Sequence, residues 1–148
     1  MAVMSDTPFA ERLVHFWSNH FSVSVENLGS QYEVAQHEFA AIRPHVLGMF
    51  PDLLKAAVLH PAMRIYLDQY RAIGPNSPFH YSRRRRGKRN ETLRQRGLNE
   101  NLAREILELH TLGVDGGYSQ ADVTEFARAL TGWTLEGLAR FPGYSESP

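Results

Sequence analysis

The stretch from Asn99 to Trp133, NENLAREILELHTLGVDGGYSQADVTEFARALTGW, decides the fold. Its spacing predicts two helices joined by a tight turn. Asn99 is placed to cap the first helix, Leu102, Ile106 and Leu109 recur at helical intervals, and Gly113 stands where a helix end wants a left-handed residue. Asp115, Gly116 and Gly117 supply turn chemistry. Ser119 then caps a second helix, with Asp122 three residues on as the acid of a capping box and Val123, Phe126, Ala127 and Leu130 as the apolar stripe, up to Gly132.

The polar residues of the first of these helices raise the question of chemistry. At ~100° per residue Glu105 and Glu108 share a face, whereas Glu108 and His110 fall ~200° apart, too far to serve one metal ion easily. Glu100, Arg104 and Glu108 follow one another at i,i+4, the spacing of an ion-pair ladder on a helix surface. A functional carboxylate is the competing reading of Glu108. His110 has apolar neighbours in Ala103, Ile106 and Leu107, which predicts a half-buried, hydrogen-bonded imidazole, with a catalytic or ligand role as the alternative.

The run GLNENLAREILELHTLGVDGGYSQADVTEFARALTGW, with ERLVHFWSNHFSVS and LHPAMRIYLD upstream, resembles the bacterial family known as domain of unknown function 1800. The resemblance extends from Phe9 to about Trp133. It implies a largely helical protein, membership of chains several hundred residues long, and frequent export from the cytoplasm; it implies no reaction. Relative to that pattern the chain lacks an N-terminal helical part and a C-terminal region with a further His-Asp pair, so it is expected to be the central portion of a larger protein. The missing N- and C-terminal parts are then its first expected partners.

Composition sets outer bounds. A chain of 148 residues with 43% hydrophobic residues suits one domain, residues 1–148, with a core of its own. No apolar run approaches 18 residues and the N-terminus has no signal-like apolar stretch, so as written the chain is expected in the cytoplasm with no membrane span, while the family resemblance suggests export of full-length members. The absence of cysteine excludes disulfides, thiolate metal sites and a cysteine nucleophile. No metal and no cofactor is expected.

Upstream, a first helix is predicted from about Pro8, capped by Asp6 or Thr7, with Leu13, Phe16, Trp17 and His20 on one stripe. His20 ends that stripe, where a backbone carbonyl most often satisfies the ring and metal or substrate contact is the alternative. Phe21 to Ser30 is expected to be a loop. A second helix from about Gln31 to Ile42 should face inward through Ala35, Phe39 and Ile42, until Pro44 interrupts it. His45, Val46 and Leu47 make a short turn ended by Gly48. Asp52 to Leu59 is a third helix, packed through Leu53, Leu54, Ala57 and Val58, and Pro61 opens a further one carrying Met63, Tyr66 and Leu67. With no alternating strands, the expected fold is all-α, an irregular bundle of about six helices with a C-terminal helical hairpin.

Two segments depart from that pattern. The basic loop 71–98 carries Arg83, Arg84, Arg85, Arg86, Lys88 and Arg89, then Arg94 and Arg96, opposed by Glu91 alone. The formal charge is zero because this cluster offsets the rest, 8 basic against 15 acidic residues elsewhere. Such a block is either a solvated run or an anion-binding site for a polyanion, including nucleic acid, through Arg83 to Arg89. The tail 136–148 has no helical period. Three functions therefore stand: a helical scaffold or binding module with homodimer formation covering its apolar faces, part of an enzyme pocket using His20, His110, Glu108 and His45, and a polyanion-binding loop.

Overall fold

The computed structural model describes residues 6–24, 34–77 and 97–133. Among the described residues the chain is helical and has no strand, so the all-α expectation holds. Five α-helices form the frame: α1 (Pro8–His20), α2 (Phe50–Leu59), α3 (Pro61–Tyr66), α4 (Asn101–Glu105) and α5 (Gln120–Ala129). Two π-helical segments complete it: His37–Ile42, which precedes a 3₁₀ turn at Arg43–His45, and Ile106–Thr111, which continues α4. No helix among the described residues is long and apolar enough to cross a membrane.

Proline punctuates the chain where its missing N–H costs nothing. Pro8, Pro51 and Pro61 all stand in the first turn of a helix, and Pro44 stands in the 3₁₀ turn that ends the first π segment. The hairpin closes as its sequence predicts. Gly113 takes φ +88° and its N–H reaches the carbonyl of Leu107 at 3.2 Å. At Gly116 a side chain would meet Leu112 Cβ at 2.7 Å, so the turn is too tight for anything larger. Ser119 and Asp122 form a complete capping box: the Ser119 N–H donates to Asp122 Oδ2 at 2.7 Å and the Asp122 N–H donates to Ser119 Oγ at 3.3 Å.

Leu53, Ala57, Val58, Met63, Leu67, Leu102, Val123, Ala127 and Leu130 pack into one core, close to the stripes read from the sequence. Three faces differ. In α1 the buried residues are Val14 and, just beyond its end, Phe21, while Phe16 is 58% exposed. Phe21 is no loop residue, since its N–H closes on Trp17 O at 2.9 Å and its ring is fully buried. In the two π segments Phe39 and Leu109 are 60% and 57% exposed, and His37 and His110 take the buried positions instead. A π turn bonds i to i+5 and so rotates less per residue than an α turn. Thr111 Oγ1 and the Leu112 N–H both bond five residues back, to Ile106 O at 2.6 Å and Leu107 O at 3.0 Å. That slower rotation carries Leu109 out of the core and brings His110 in.

The base of the basic segment is closed. The Ile73 N–H donates to Gly97 O at 2.9 Å, and Asn99 Nδ2 donates to Leu67 O at 2.8 Å while its Oδ1 accepts the Asn101 N–H at 2.9 Å. Asn99, one residue before the N-cap Glu100, therefore accepts the first N–H of α4 and ties the helix to the end of α3. Gln69, 1% exposed, adds a second tie by donating to Leu130 O at 2.7 Å. Residues 83–89 and the tail 136–148 lie outside the described residues.

Candidate functional site

Helix ends bring four histidines into the core region. His20 is the last residue of α1, and its Nε2–H donates to the backbone carbonyl of His110 at 3.2 Å. The two rings stand 5.9 Å apart between centroids. Phe21 packs beside both, 4.7 Å from His20 and 5.0 Å from His110, and Trp17 meets His20 edge-on at 5.3 Å. His110 is 4% exposed and its Nδ1 is buried with no partner. Burial pushes its pKa down to about 4, and the neighbouring His20 and His37 act in the same direction.

His37 and His60 form the second pair, 5.2 Å between centroids. His37 is buried and its Nε2–H donates to Ala57 O at 3.1 Å. That bond favours the charged ring, yet burial outweighs it and the pKa falls to about 4, with His60 adding repulsion. His60 caps α3, its Nδ1 accepting the Ala62 N–H at 3.2 Å. Burial first, and Arg64 second, lower its pKa as well.

The sequence candidates divide. His20 and His110 come together, whereas Glu108 belongs elsewhere: it accepts from Arg104 at 2.9 Å. The Glu100–Arg104–Glu108 ladder is present, and Gln120 and Thr124 extend it across the hairpin by donating to Glu100 at 2.9 and 2.8 Å. Those two bonds, with Arg104, hold the Glu100 carboxyl below its usual range. His45 sits on the 3₁₀ turn, half-buried, with no bond or ring contact to the other histidines among the described residues. His37 and His60 are the members that sequence reasoning missed. The available signal was the apolar pair Ala41 and Ile42 one turn beyond His37, and the position of His60 just before Pro61, where a cap is needed.

No carboxylate bonds any of the four imidazoles among the described residues, so the acid-oriented imidazole of a general base is not assembled there. Nor does any group of three or more His, Cys, Asp or Glu side chains among them stand ready for a metal ion. His20 and His37 donate ring N–H groups to helix-end carbonyls, His60 accepts an N–H at a helix start, and burial favours the neutral ring at His37, His60 and His110.

An all-helical domain whose helix ends are tied by buried histidines is the class this fold and site define. A family model for "Protein of unknown function (DUF1800)" matches residues 1–147, and the chain belongs to that family. No curated protein and no solved structure matches it.

Proposed function

We propose that the chain is a helical scaffold or binding module of a larger bacterial protein. The supporting observation is that several of its chemically capable side chains among the described residues are engaged inside the fold. His20 and His37 tie backbone carbonyls, His60 caps a helix, and Glu100 and Glu108 are held by Arg104. Large apolar side chains are left outside, among them Phe16, Phe39, Leu47 and Met49, each 58 to 71% exposed. Such surface suits contact with the remainder of a longer family protein or with a second copy of the chain. Light scattering over a dilution series tests this, with Phe16→Glu and Phe39→Glu as variants. Self-association that weakens on dilution and on substitution supports the module. A monomer at every concentration, unaffected by either change, removes the reason to assign these faces to a partner.

A second reading, an enzyme pocket, draws support from one observation, the His20–His110 pair at 5.9 Å. It predicts that a divalent cation at concentrations well above its dissociation constant raises the melting temperature, since a ligand bound only by the native state stabilises it. The rise should vanish in His20→Gln. A melting temperature indifferent to zinc, nickel and manganese leaves the scaffold reading in place.

A further inference from the structure

The four gathered histidines have a property that their structural duties do not require. The titratable or charged groups that act on His37, His60 and His110 are themselves bases: His20 and His37 act on His110, His60 acts on His37, and Arg64 acts on His60. The carboxylates of the packed elements are committed to other cations. Glu11 on α1 and Glu38 on the first π segment both bind Arg43, and Glu108 on the second π segment binds Arg104. Glu105, beside Glu108 on the hairpin, has its own pKa raised by burial and by that neighbour. Asp52 and Lys55 on α2 are exposed. Among the described residues a proton entering the cluster therefore meets no compensating charge. His110 in addition offers a buried Nδ1 with no acceptor for the hydrogen it would gain.

We propose that the histidine cluster is an acid-sensitive latch: protons taken up below neutral pH drive the π-helical end of the hairpin, Ile106–Thr111, off the C-terminal end of α1. That junction is where the two rings and the His20-to-His110 bond lie. The direction follows from linkage. His37 and His110 titrate near 6.5 in the unfolded chain and are held at about 4 in the folded one. The unfolded or opened state binds protons first, so the closed state is fully stable above pH 6.5, weakens as pH falls from 6.5 to 4, and levels off below that.

Trp17 reports the junction, because its ring meets His20 at 5.3 Å and stacks near Phe21 at 5.8 Å. The chain has two tryptophans, so the experiment is run in the whole 148-residue chain with Trp133→Phe. Emission is recorded from pH 7.5 to pH 3. The expected result is a red shift with its midpoint between pH 6.5 and pH 4 and a steepness above one proton. Adding His37→Gln and His110→Met should lower the midpoint by at least about one pH unit, since both changes remove a site that the opened chain protonates first. Imidazole NMR on the unaltered chain stands in if that variant does not fold: His37 and His110 should show no titration above pH 5 while the emission is native. The proposal is overturned by an emission flat down to pH 4, by a midpoint that the double change leaves in place, or by His110 titrating near 6.5 in a closed protein.

Discussion

Truncating Leu102 and Leu109 separately tests the feature that most distinguishes this fold from its sequence pattern. The two are seven residues apart, which in a regular α-helix places them within ~20° of each other. Both would then be buried. In the structure Leu102 is fully buried and Leu109 is 57% exposed, because the π turn beginning at Ile106 intervenes. Leu102→Ala removes roughly three carbon groups at ~0.8 kcal/mol each and leaves a cavity, for a total of ~2 to 5 kcal/mol. Leu109→Ala loses about two-fifths of that transfer contribution and opens no enclosed cavity, so it should cost no more than ~1 kcal/mol. At ~2 to 4 °C per kcal/mol for a chain near this size, the melting temperature should fall by roughly 4 to 20 °C for Leu102→Ala and by less than about 4 °C for Leu109→Ala. Urea midpoints read by circular dichroism, with unchanged slopes, provide the second measurement. Equal losses for the two variants would falsify the π-helical register and restore a plain α-helix with Leu109 in the core.

The capping box gives a smaller effect: Ser119→Ala should cost ~0.5 to 2 kcal/mol in thermal or urea unfolding, and Ser119→Asn less than that. Deleting Ser82 to Arg96 and rejoining the chain should keep the helical circular dichroism signal, because Ile73 and Gly97 already meet at 2.9 Å across the base. The same deletion should abolish salt-dependent retention on heparin if Arg83 to Arg89 bind polyanions; retention that survives the deletion assigns it to other residues.

The hairpin was legible because it is specified by local chemistry. Capping by Ser119, the Asn99 side chain accepting the first N–H of α4, the left-handed Gly113 and the stripe Val123, Ala127, Leu130 all follow from rules that act within a few residues. The prolines placed helix starts for the same reason. The inward faces at Leu109 and Phe39 were not legible, since a periodicity of 3.6 cannot anticipate a turn that bonds i to i+5. These two errors fall in π segments, where the expected aliphatic or aromatic side chain is exposed and a histidine is buried instead, whereas the third, at Phe16, falls in a regular α-helix. The site was half legible. His20 and His110 stand out by their apolar neighbours; His60 is legible only as a cap before Pro61, and His37 is not, because nothing in a linear reading shows that a residue on one helix will find the carbonyl of Ala57 on another.

The two π segments bear on why these histidines are tolerated at all. A buried imidazole is stable only if its polar atoms find partners or it remains neutral. His37 obtains an acceptor from α2, but His110 obtains none at Nδ1. If packing alone shaped the second segment, a regular helix presenting Leu109 would bury more apolar surface and leave no orphaned nitrogen. The segment instead forgoes a leucine, exposes it, and installs a ring that must stay uncharged. Substituting His110→Leu should therefore raise the melting temperature at neutral pH, by roughly 1 to 3 kcal/mol equivalent, as the unpaired nitrogen is removed and a similar volume kept. A fall at pH 7.5, with the π register shown intact by the Leu102 and Leu109 comparison, would mean that the imidazole itself stabilises the neutral fold and that its second nitrogen is not an uncompensated cost.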